Sequence, residues 1–345
     1  MTRLRFAAAL GLTVLATAPA HAWTRGQVDV LAVLPAATGS VEGITVGPDG
    51  NVYAPTFGFN TTGALGGNAK MFVISPGGNI VRTVTIAHSS PHVLGLAFNP
   101  ATHVLWVLDF GAGKVLAVDP NTGTSSVLAG PIANSGLNAL TFDKQGNGYI
   151  SDSFTGTIWK VDKHGGGATA WSSDPLLGNG GGALTPPFGA NGVAFSNDGS
   201  LLYVANTAFH QMIQIPVNPN GSAGKPSIFI TGINAPDGVA VDAKGNIWVC
   251  ANQEDEIVVL NPTGKVIAKL GDFRGIDQNG IAQGLLFPAS LAFSKDGTTL
   301  YVSNLTLFLP FAGAQPAIDS AWTLQVKGYT VSSLPATIPP IPGGP

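Results

Sequence analysis

The sequence predicts an all-β protein, a six-bladed β-propeller closed by strands from its N- and C-terminal ends. Three observations carry this reading. A strand–turn–strand unit recurs six times, its copies start 44 to 53 residues apart, and the composition is rich in Gly and Pro and poor in charge. That spacing is the length of a four-stranded propeller blade. Within each copy, apolar residues fall two apart, the period of a strand with one packed face.

The N-terminal element precedes the fold. Arg3 and Arg5 give a basic start, an apolar run follows from Phe6, and Ala20-His21-Ala22 is a small-x-small cleavage site. This pattern is a secretory signal peptide over residues 1–22. The expected product is exported, periplasmic or secreted, and has no transmembrane segment after cleavage. A single propeller domain is expected over 23–333 and a Pro-rich tail over 334–345.

The apolar strand Val28 to Leu34 comes next and then the first copy, Glu42-Gly43-Ile44-Thr45-Val46. The others are Leu94-Gly95-Leu96-Ala97-Phe98, Asn138-Ala139-Leu140-Thr141-Phe142, Asn191-Gly192-Val193-Ala194-Phe195, Asp237-Gly238-Val239-Ala240-Val241 and Ala289-Ser290-Leu291-Ala292-Phe293. The small residue after most heads lets neighbouring backbones approach near a narrow axis. Turns such as Pro48-Asp49-Gly50-Asn51 and Ala243-Lys244-Gly245-Asn246 follow, with Gly or Asn where positive φ is needed. A second strand then carries an aromatic wedge residue in most copies, as in Leu105-Trp106-Val107 and Ile247-Trp248-Val249. Third and fourth strands follow, for example Lys114 to Val118 and Glu256 to Leu260. Trp322 to Tyr329 is expected to join Val28 to Leu34 in the last sheet.

Composition narrows the function. The chain has 16 Lys and Arg against 19 Asp and Glu, with no basic cluster, so no nucleic-acid footprint is present. The lone Cys250 ends a strand-like run, which points to a buried, inert thiol. No Gly-x-Ser-x-Gly elbow, His-Glu-x-x-His motif or phosphate loop occurs.

A closed ring brings equivalent heads to one mouth of its channel. Glu42, Asn191, Asp237 and Asn138 would meet there, a set of hard oxygens suited to Ca2+ or another divalent cation. Soft-metal ligands are missing from the heads. Local backbone capping by Asn and Asp is the alternative for any single head, and Glu42 fits it worst.

The order and spacing of these segments resemble the senescence marker protein/gluconolactonase/regucalcin-like family of six-bladed propellers, and more distantly diisopropylfluorophosphatase and the paraoxonases. Glu42-Gly43 matches the family's acidic first-blade ligand. Asn191 to Gly199 followed by Leu202-Tyr203-Val204-Ala205 resembles its middle-blade signature. Asp237-Gly238 with Gly245-Asn246-Ile247-Trp248-Val249 resembles the segment that bears a ligand and a proposed catalytic aspartate. Asn138 corresponds to an asparagine near the metal or substrate. The resemblance implies calcium-dependent hydrolysis of a lactone or related ester, with Asp237 catalytic. A non-catalytic exported propeller that binds a small molecule or protein is the alternative, favoured by Leu94 and Ala289 at two heads.

Three loops are expected over the head side: Thr56 to Asn68, Ser172 to Ala190 and Gly275 to Pro288. Phe57 and Phe188 would wall a small-molecule substrate or simply anchor their loops. His92 and His210 are candidate pocket residues, with structural or loop roles as the alternative.

Overall fold

The computed structural model describes residues 25–180, 188–312 and 320–339. Six four-stranded antiparallel sheets are each built in the order in which their strands occur, save the last. Blade 1 comprises Thr45–Val46, Val52–Pro55, Lys70–Ile74 and Ile80–Thr85. Blades 2 to 5 begin at Val93–Phe98, Leu137–Phe142, Ala190–Phe195 and Pro236–Val241. Blade 6 takes Pro288–Phe293, Thr299–Asn304 and Gly328–Pro335, and its outermost strand is Asp29–Pro35 from the other end of the chain. The first strand of each blade packs against the first strands of both neighbours, which closes the ring.

Closure rests on strand pairing. Val33 and Leu34 pair with Thr330 and Tyr329. Ser303 Oγ, in blade 6, donates to the carbonyl of Glu42 in blade 1. The closing strand starts later than Trp322: Ser320–Thr323 is a single helical turn, and the Trp322 ring lies against Phe273 instead. The apolar alternation that drives pairing resides in Tyr329, Val331 and Leu334, all buried. Leu334 and Pro335 belong to this strand, Pro335 at its last position where a missing N–H is tolerated. Ala336 N then donates to Thr298 O. The signal-peptide segment lies outside the described residues. Among the described residues no helix is long and apolar enough to cross a membrane.

The gaps between blades are filled by one recurring device. The aromatic residue of a second strand meets the Phe that ends the next blade's first strand, edge to face. Tyr53–Phe98, Trp106–Phe142, Tyr149–Phe195 and Trp248–Phe293 have ring centroids 4.9 to 5.4 Å apart. The turn aspartate fixes such a ring from below, as Asp242 accepts from Trp248 Nε1 at 3.0 Å and Asp49 from Tyr53 Oη at 2.8 Å.

Nearer the axis there is no room for side chains between first strands. A Cβ on Gly43 would lie 2.1 Å from Leu94 O, and one on Gly192 would lie 2.1 Å from Asp237 O. These glycines are close-approach residues, and they set the distance between adjacent heads.

Candidate active site

Each head sits in an interruption of its own strand. Pairing between first and second strands slips between Leu137 and Leu140, between Ala190 and Val193, and between Pro236 and Val239. In blade 1, Val41 bridges Thr56 and regular pairing resumes only at Thr45. The slip is a β-bulge, which re-aims the residue it contains. Glu42, Asn138, Asn191 and Asp237 are thereby brought to one cavity. All four side chains are buried.

In blades 3 to 5 the residue just past the second strand supplies the anchor. Asn138 Nδ2 donates to Ser153 Oγ at 3.1 Å, and Asn191 Nδ2 donates to Thr207 Oγ1 at 3.0 Å. Each hydroxyl passes its own proton to the backbone just before the next head: Ser153 to Ala190 O at 2.7 Å and Thr207 to Pro236 O at 2.8 Å. In blade 5 Asn252 Nδ2 donates to Asp237 Oδ2 at 2.8 Å. Gln253 Nε2 donates to Asn252 Oδ1 at 2.5 Å, which orients the Asn252 amide with its NH2 toward the carboxylate. Asp152 stays out of the cavity and caps its loop, accepting from the backbone N–H of Gly136, Phe154 and Thr155.

Two oxygens are left over. Asp237 Oδ1 and Asn138 Oδ1 are buried and have no donor. Unpaired buried acceptors are rare and costly. Electrostatics adds to the strain. Burial pushes Asp237 up to about 8, only partly opposed by the Asn252 and Asn191 amides. Burial and the Asp237 carboxylate hold Glu42 well above the usual carboxylate range. The buried Cys250 thiol is pushed up by burial and by the same two carboxylates, consistent with an inert side chain. Among the described residues no group of three His, Cys, Asp or Glu side chains could hold a metal ion. An ion here would draw on two carboxylates and the amide oxygens of Asn138 and Asn191.

Phe57 and Phe188 line the cavity, one from each of the first two expected loops, and Phe287 joins them from the third. His92 and His210 do not line it. His92 Nδ1 donates to Phe57 O at 2.7 Å and its ring stacks on Phe59, so it braces the Phe57 loop. His210 Nδ1 accepts from Ala235 N at 2.9 Å, just before the fifth head. The wall also contains Leu305, Leu307 and Leu309, beside Leu94. Sequence reasoning missed this segment and the anchors Thr207 and Asn252. The alternating leucines after the blade 6 second strand, and a polar residue at the same place in blades 3 to 5, were the available signals.

A ring of six blades with an acidic, oxygen-lined cavity at one end of its axis defines the class of protein. The family profile described as SMP-30/Gluconolactonase/LRE-like region matches residues 185–271. The chain is 21% identical over 222 residues to lactonase drp35 of Staphylococcus aureus and 29% identical over 86 residues to lactonase drp35 of Staphylococcus haemolyticus. These matches take in 58% and 24% of this chain, and 63% and 26% of the relatives, less than two thirds of either. The structure superposes on regucalcin, a calcium-binding protein from Agrobacterium tumefaciens, with a TM-score of 0.61 at 20% identity, covering 90% of this chain and 92% of that one. At that identity the superposition speaks for the fold. Over residues 185–271 the chain is similar to that family, and its fold is the six-bladed β-propeller of the solved structures it superposes on.

Proposed function

We propose that the chain is a calcium-dependent hydrolase of a lactone or related ester, acting in the axial cavity. The observation that carries this reading is the pair of buried carboxylates, Glu42 and Asp237, with Asp237 Oδ1 and the Asn138 Oδ1 of the same cavity left without a donor. A divalent cation offsets their repulsion and satisfies those oxygens, and the donors are all hard oxygens as Ca2+ prefers. Glu42, Asn138, Asn191 and Asp237 would hold it. When bound, such an ion supplies a Lewis acid for a carbonyl oxygen and the charge stabilisation that acyl transfer needs.

The chain's own residues divide the remaining work. Asn252 fixes Asp237 through Oδ2, so Oδ1 faces the cavity as the proton acceptor. Asp237 takes a proton from water, whose oxygen bonds to the substrate carbonyl carbon. The C–O bond to the leaving alkoxide then breaks, and the proton passes from Asp237 to that oxygen. Asn138 and Asn191, held by Ser153 and Thr207, keep their positions without reorganising. The apolar wall limits bulk water around the reacting ester. The lactonase relatives agree with this chemistry.

Asp237→Asn tests the reading. With Ca2+ present, turnover of a lactone and ester panel should fall at least a thousandfold while far-UV circular dichroism stays that of the parent. Parental turnover in the variant would remove Asp237 from the mechanism. An inactive parent that still binds a ligand in this cavity would instead favour a binding propeller.

A further inference from the structure

The substrate class can be narrowed further, on the footing of the hydrolase reading. No Lys, Arg or His stands among the described residues that line the cavity. An anionic substrate, such as a sugar acid or phosphate ester, would meet two carboxylates and no positive side chain. A neutral polyol lactone fares little better. Apart from the oxygen cluster and the polar side chains of Thr207, Asn252 and Gln253 that brace it, the lining is apolar, with Leu94, Leu305, Leu307, Leu309, Phe57 and Phe287 unable to bond a hydroxyl. Each hydroxyl buried there without a partner weakens binding about tenfold or more.

A second feature extends the apolar surface outward. Phe57 and Phe188 line the cavity, and Phe110 touches both rings, at 5.6 and 6.5 Å between centroids. Phe154 continues the series, 5.3 Å from Phe110 and stacked 6.2 Å from Phe188. Phe154 is 42% exposed, so the series reaches solvent. The rings form a continuous ledge from the reacting centre to the surface. Phe110 and Phe154 follow the second strands of adjacent blades, so the ledge is built on the rigid part of the fold.

We infer that the substrate is an uncharged lactone or ester with an alkyl or aryl tail, its carbonyl at the oxygen cluster and its tail along the Phe57–Phe110–Phe154 ledge.

The test uses the full chain with Ca2+ and the series δ-hexalactone, δ-octalactone, δ-decalactone and δ-dodecalactone, with gluconolactone alongside. Each buried methylene is worth about fourfold, so kcat/KM should rise by up to about fifteenfold per two-carbon step until the ledge is filled. A flat series, or gluconolactone used as well as δ-dodecalactone, would overturn the inference. Phe154→Ser changes an exposed ring and should lower the dodecalactone-to-hexalactone ratio of kcat/KM about tenfold; an unaltered ratio refutes the ledge. If no lactone is hydrolysed, the hydrolase reading fails on its own. Titration with alkyl δ-lactams of the same tail lengths then decides the ligand class. Kd tightening with tail length supports it, and a constant Kd overturns it.

Discussion

Asp237→Asn should make the calcium-free protein more stable. Burial raises the Asp237 carboxyl from 3.8 to about 8, so in the folded state without a cation it keeps its proton at pH 7. The unfolded chain gives that proton up. A folded pKa raised above the unfolded one contributes full stability below about pH 4, and that stability is lost as pH rises toward 8. About three pH units separate the unfolded value from pH 7, which corresponds to a penalty of about 4 kcal/mol. Asn carries no such penalty and can still accept from Asn252. In chelator at pH 7 the variant should therefore unfold several degrees above the parent, with the gap closing toward pH 4. Calcium should close most of that gap. At a hundredfold excess over Kd it stabilises the parent by about 3 kcal/mol, and it should do little for the variant. Thermal unfolding followed by circular dichroism, with chelator and with Ca2+ from pH 4 to 8, measures all four combinations. A variant less stable than its parent in chelator at pH 7 would refute the claim that the site is strained by an uncompensated acid pair.

Two further variants probe how the cluster is held. Gly192→Ala places a Cβ 2.1 Å from Asp237 O and should cost about 1–3 kcal/mol in a urea titration, because backbone cannot yield there as a side chain could. Thr207→Val keeps the shape but removes the hydroxyl between Asn191 and Pro236 O, and Ca2+ affinity measured by calorimetry should fall at least tenfold.

The ring was legible because strand period and repeat length are local properties. Six heads at near-constant spacing are visible in the chain, and so is the glycine after Glu42, Leu94, Asn191 and Asp237. The apolar arc at Leu94 and Ala289 was also readable, and the structure fills it with Leu305, Leu307 and Leu309. What aims the heads was not legible. The bulges arise from a slip between two strands, and neither strand alone shows it. Thr207 and Asn252 lie 16 and 15 residues beyond the heads they anchor, just past the end of the next strand, where each reads as an ordinary turn residue. The closing strand was placed too early because Trp322 looks like a strand aromatic, whereas its ring is spent on Phe273.

The most direct measurement is a calorimetric titration of Ca2+ into the chelated protein at pH 7, repeated in buffers of different ionisation enthalpy. One Ca2+ should bind per chain, with release of at least one proton, because Asp237 is protonated before the ion arrives and must ionise to hold it. Absence of binding, or binding without proton release, would contradict an axial cation site built on Glu42 and Asp237.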